Sequence, residues 1–93
     1  MNIPENQDNT KEQIIDSLVR KLKTDSYAEH LYVDAPKFNE SMAREIGKEF
    51  RKKGYYARLS WHANDRFSFF YALTVSKQPL KDINARLAWS EQL

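Results

Sequence analysis

The chain has no cysteine. Disulfides, thiol nucleophiles, thiolate zinc sites and iron–sulfur clusters are therefore excluded, and a reducing cytoplasm is the expected compartment. It has only two glycines, Gly47 and Gly54, too isolated to build a glycine-rich phosphate loop. Long apolar runs are missing as well. No stretch could span a bilayer, and the opening "MNIPENQDNT" lacks the basic start and apolar middle of a secretory signal. Nor is there a large excess of one charge. Lys and Arg total 15 against 13 for Asp and Glu, a formal net charge of +2. That is a solvated surface with a mild basic bias, short of a dedicated nucleic-acid binder.

What is present suits one small packed domain. The 93 residues are 41% hydrophobic and 13% aromatic, enough for a core in a chain with little room for a second domain. Residues 1–9 read as a flexible leader and 10–93 as a single α+β domain. Thr10 and Gln13 have capping-box spacing, and Ile14, Ile15, Leu18, Val19 and Leu22 follow on one helical stripe. Tyr27–Asp34 alternates as a strand, with Leu31 and Val33 assigned to the dry side and His30, Tyr32 and Asp34 to the wet side.

Asp34 and Pro36, or Asn39 slightly later, open a second helix whose buried side is Phe38, Met42, Ala43, Ile46 and Phe50. Gly47 lies on that stripe at a propensity cost of about 1 kcal/mol relative to alanine, which points to close contact with a neighbouring element. Gly54 stops the helix after the cations of "RKK". Tyr55–His62 and Phe67–Ser76 are strands joined through "ANDR", and Pro79 opens a last helix with Leu80, Ile83 and Leu87 on its stripe. The order αβαββα predicts a two-layer α+β fold, a three-stranded antiparallel sheet in order 1-3-2 with helices on one face.

Alternation sorts the crowded aromatics of "YYARLSWHANDRFSFFY". Tyr55, Trp61, Phe67, Phe69 and Tyr71 fall on the helix side and are assigned to the core, because rings at period two usually pack. Tyr56 and Phe70 fall on the other side with Tyr32, Arg58, Ser60, His62 and Thr74. A sheet covered on one face leaves these outside, as a recognition patch or as simple cover. Trp89 projects away from the last helix's stripe, which suggests a protein contact, a dimer seam, or a frayed end that folds back.

Chemistry is scarce. His30 and His62 would share the outer face with Arg58, an arrangement able to cleave RNA by acid–base transfer, but lone histidines on strands are more often ordinary surface residues. Neither histidine has a metal-ligand spacing to a carboxylate, no serine has a G-x-S-x-G context, and Glu45 and Glu49 sit one helical turn apart among lysines. No catalytic site, metal or cofactor is expected.

The segment "FNESMAREIGKEFRKKGYYARLSW" through "FYALTVSK" resembles, in layout, many small proteins encoded by bacteriophages and other mobile elements. The likeness covers about two thirds of the chain and contains no diagnostic motif. It implies stoichiometric binding to a host or defence component, nucleases included. The expected function is thus a non-enzymatic binding protein using Tyr32, Tyr56, Arg58, His62, Phe70 or Trp89, with a host protein or a second copy as partner. The alternative is a nucleic-acid-binding module using Lys48, Arg51, Lys52, Lys53 and Arg58, whose cations interleave with Glu40, Glu45 and Glu49.

Overall fold

The structure, a computed structural model, describes residues 10–33, 40–63 and 69–93. The expected leader, the helix start at Asp34, Pro36 and Asn39, and the assignments of Phe38, Phe67 and the "NDR" turn lie outside those residues.

Helix α1 (Lys11–Leu22) begins on the expected cap. The Gln13 amide donates to the Thr10 hydroxyl at 3.2 Å while the Thr10 amide donates to Gln13 Oε1 at 3.4 Å. These bonds satisfy two amides that the first turn leaves without helical partners. Ile14, Leu18 and Leu22 are buried, with Ile15 and Val19 packed beside them. Helix α2 (Glu40–Lys52) buries Ala43, Ile46, Gly47 and Phe50. It ends where Gly54 adopts φ 93°, a left-handed conformation that glycine reaches without strain. Gly54 N donates to Arg51 O and Tyr55 N to Phe50 O, both at 3.0 Å, which closes the helix's last carbonyls. No helix among the described residues is long and apolar enough to cross a membrane.

The sheet is α+β in class as expected, yet larger. Its strands are β1 (Tyr27–Val33), β2 (Tyr56–Ala63), β3 (Phe69–Ser76), β4 (Asn84–Ala85) and β5 (Ala88–Gln92). They lie in the order β1-β3-β2-β5-β4, with every neighbouring pair antiparallel. The expected 1-3-2 order survives inside a five-stranded sheet. Both helices pack on one face, where Ile14, Leu18, Ile46 and Phe50 meet Ala28, Ala57, Leu73 and Val75.

Three expectations need correction. The first is the last helix, which is a β4–β5 hairpin. Leu80, Ile83 and Leu87 do fit a helical stripe, but β2 without β5 would leave a row of backbone groups unpaired. Residues 88–92 alternate well enough to pair with it, from Arg58↔Gln92 to His62↔Ala88.

The second correction is the parity of β1. Ala28 lies opposite Val75, His30 opposite Leu73 and Tyr32 opposite Tyr71, so these three face the helices. Leu31 faces the other way and is 50% exposed. The strand carries apolar bulk on both rows, so alternation alone could not orient it. What selects the inward row is α1, which lies over β1 and meets the small Ala28 and the flat rings of His30 and Tyr32.

The third correction concerns the outer face, part of which is covered. Residues 77–83, between β3 and β4, cross it as a strap. Arg58 Nη1 donates to Lys81 O at 2.6 Å, and Gln92 Nε2 donates to Leu80 O at 2.9 Å and Asp82 Oδ1 at 3.0 Å. Ser90 Oγ bonds both the amide and the carbonyl of Ile83. On the same face Ser60, Ala72, Thr74 and Ser76 are all buried, although they point away from both helices. These residues are small and leave room for backbone to approach; three of them bond nearby groups, Ser60 to Ala72 O, Thr74 to Glu29 and Ser76 to Ser26 O.

Candidate aromatic interface

The sheet's register places the candidate residues and divides them. Tyr32, expected outside, is half-buried on the helix side, with its ring 4.7 Å from that of His30 at 74°. Burial pushes its phenol up to about 12. His30 faces α1, whereas His62 is on the opposite face, stacked on Phe70 at 4.7 Å and 12° with Nε2 3.0 Å from Ser60 Oγ. The two imidazoles are therefore separated by the sheet, and the acid–base pair imagined for RNA cleavage is not assembled. Among the described residues no group of three or more acidic or histidine side chains is placed to hold a metal ion.

Arg58 serves the strap. One end of its guanidinium is bonded to Lys81 O, and Nε is buried without a hydrogen-bond partner among the described residues. Tyr56 is exposed at one end of β2 beneath Arg51, 5.4 Å from its ring centre, while His62 and Phe70 lie at the other end. The outer patch expected from alternation is thus split by the strap. The basic run divides similarly. Lys48, Arg51, Lys52 and Lys53 are exposed at the end of α2, but Arg58 is on the far face. The acidic residues thought to neutralise that run are engaged elsewhere. Lys11 holds Glu45 at 3.3 Å and Glu49 at 3.7 Å, and Arg44 holds Glu40 at 2.6 Å.

The burial of His30 has a measurable consequence. Its imidazole titrates below the ordinary value of 6.5, chiefly because burial disfavours the cation and secondarily because Lys21 is near. The unfolded chain then binds the proton more readily than the folded one, so stability is full above about pH 6.5 and falls as pH drops through it toward the folded value. Urea midpoints measured from about pH 7.5 to about pH 5 should decline, with a shallower slope in His30→Leu. Glu91 does not confuse this window. The Arg44 guanidinium holds its carboxyl below the ordinary 4.5, so its contribution is lost only at lower pH.

Trp89 does lie outside the core, at 43% exposure, though on a strand and not a helix. Trp61 is directly opposite it on β2, and Tyr71 opposite Trp61 on β3. With Tyr32 opposite Tyr71, one level of the sheet carries an aromatic row across four strands, all on the helix side. Phe69 stands two register pairs beyond on the same face, 39% exposed, with its ring 6.3 Å from Trp61 and 6.1 Å from Tyr71.

Alternation assigns Trp61, Phe69 and Tyr71 to the core. Their parity is as expected but their burial is not. Helix α2 starts at Glu40, beside this row, and runs toward the Gly54 turn, while Trp61 and Tyr71 are only half-buried. Between them is a cleft of about 220 Å³ lined by Glu40, Leu59, Trp61, Tyr71 and Trp89. At its rim Arg44 bonds Glu40 and also Glu91, at 2.6 Å from Nη1 to Oε2 and 3.0 Å from Nη2 to Oε1. The two carboxylates hold the guanidinium well above its ordinary range.

The signal that could have revealed this patch was the misfit of Trp89 to a helical stripe. Read at period two, Trp89, Glu91 and Leu93 share one face, which brings Trp89 to Trp61. Comparison with known protein families, with curated proteins and with solved structures finds no match to this chain.

Proposed function

We propose that this chain is a non-enzymatic protein that acts by stoichiometric docking to another protein, through the patch formed by Trp61, Phe69, Tyr71 and Trp89. The observation that carries this reading is the gathering of two exposed rings, Phe69 and Trp89, with two half-buried ones, Trp61 and Tyr71, on one end of the sheet. Tryptophan and tyrosine supply large contact area with few rotatable bonds, and they dominate the energetics of protein interfaces. The resemblance in layout to mobile-element proteins, read from the sequence, suggests a host or defence component, such as a nuclease, as the class of target.

The test is affinity capture with the chain immobilised. A protein retained in near-equimolar amount by the natural sequence and by Tyr56→Ser, but lost with Trp89→Ser, is the expected result. Loss with Tyr56→Ser or Phe70→Ser and not with Trp89→Ser would move the site to the outer face. A mass that doubles with concentration, and reverts in Trp89→Ser, would identify a second copy as the partner.

A second reading has its own support. Among the described residues no carboxylate pairs with Lys48, Arg51, Lys52 or Lys53, so this cluster is electrostatically available to phosphates. Titration with labelled single- and double-stranded oligonucleotides decides it. Phosphate contacts are strongest at low salt, and no binding there removes the reading.

A further inference from the structure

The cleft at the head of α2 has the dimensions of a single side chain. Its volume of about 220 Å³ is below the roughly 300–1,000 Å³ of pockets that enclose whole small-molecule ligands. Its lining is specific in kind. Trp61, Tyr71 and Trp89 contribute rings, Leu59 an apolar wall and Glu40 a carboxylate. Aromatic faces carry the negative side of a quadrupole and attract cations.

The charges beside the rings have the same sense. Glu40 and Glu91 carry two negative charges and Arg44 one positive, so the triad is left with one net negative charge at the rim. Arg44 is committed to that triad. It takes both oxygens of Glu91 and Oε2 of Glu40. A second guanidinium would therefore find no two-oxygen carboxylate to grip, whereas a compact ammonium needs only ring faces and a negative field.

We infer that this cleft accepts a lysine ammonium, free or methylated, presented by the partner protein. The inference rests on the docking reading above and names the chemistry which that surface takes.

The chain's two tryptophans, Trp61 and Trp89, both line the cleft, so intrinsic fluorescence reports on it directly. At constant ionic strength the protein is titrated with Nα-acetyl-Nε-trimethyllysine amide, with Nα-acetyl-lysine amide, with Nα-acetyl-arginine amide, and with the neutral isostere in which carbon replaces the quaternary nitrogen. The expected result is a saturable change with the trimethylammonium compound and about tenfold weaker binding of the neutral isostere. Glu91→Gln, which removes the net negative charge, should weaken the ammonium several-fold and leave the isostere unchanged. Trp89→Ala should abolish the response of Trp61, with far-UV circular dichroism confirming the fold.

Equal binding of the charged and neutral compounds would overturn the inference while leaving an apolar docking surface. Tighter binding of the arginine amide than of either lysine compound would overturn the ammonium assignment. No saturable response to any of the four would also overturn it. In each case the docking reading is judged separately, by the capture experiment.

Discussion

Truncating Phe50 to alanine is expected to destabilise the chain by about 3–5 kcal/mol, as removal of a fully enclosed ring generally does. Phe50 is 0% exposed and is the largest of the fully buried side chains. It sits on the inward stripe of α2, and the ring of Tyr55 meets it edge-on at 5.7 Å and 66°. The ammonium of Lys53 lies 5.7 Å from its centre. Little around it can move inward. The sheet side is a floor of strand residues fixed by ladder hydrogen bonds, and the helix end is held by the Gly54 turn. The cavity would therefore persist and add its own cost to the lost transfer energy. A domain of this size has a total stability of about 5–14 kcal/mol, so the loss is a large part of it. Urea unfolding should show a much lower midpoint with an unchanged slope. A change below about 1 kcal/mol would mean that the ring is not in the core.

Gly47→Leu should be nearly as damaging, at up to about 3 kcal/mol, for the opposite reason. Gly47 is buried in α2 where Leu93 crosses it, and a Cβ placed there collides with Leu93 Cδ1 and stands 3.5 Å from the Cβ of Ala57. A leucine side chain has no volume to occupy between helix and sheet. Its better helix propensity, under 1 kcal/mol, does not offset the overlap. Gly47→Ala is the informative companion. Leu93 Cδ1 is the tip of a half-buried side chain that can turn aside, and alanine gains about 1 kcal/mol of propensity, so the two terms nearly cancel. Thermal or urea unfolding of the pair should therefore show a large loss for leucine and a small change of either sign for alanine. Equal effects would mean that Leu93 does not fill the notch.

How far the sequence disclosed this fold depended on whether one local signal had a competitor. The cap at Thr10, the apolar stripes of α1 and α2 and the stop at Gly54 were legible because each is a local rule with one reading. The same holds for β2 and β3, where Ala57, Leu59, Leu73 and Val75 form an inward row with no apolar rival of equal weight. The close contact inferred from Gly47 exists, and its partner is Leu93.

The failures came where two periods or two parities fit equally well. Leu80, Ile83 and Leu87 satisfied a helix, while the edge of β2 required a strand, and the non-local pairing decided. Tyr27 and Leu31 balanced Ala28 and Tyr32 on β1, and α1 decided. The strap could not be foreseen at all, since polar bonds from Arg58, Ser90 and Gln92 to backbone carbonyls and amides leave no hydrophobic pattern. For the site, Trp89 was identified as anomalous, but its neighbours were hidden. Alternation tells which face a ring occupies and not whether a helix reaches far enough to cover it.

The two margins of the sheet are unlike. On one side the last strand has two residues, Asn84 and Ala85, too short a template for another chain to extend. On the other, β1 runs for seven residues with β3 as its one strand neighbour among those described. Its outward N–H and C=O groups follow the exposed Tyr27 and Leu31, and Lys21 Nζ reaches the Glu29 carbonyl at 3.5 Å. Among the described residues, growth of the sheet by a foreign strand is thus favoured along β1, and there a lysine stands in the way.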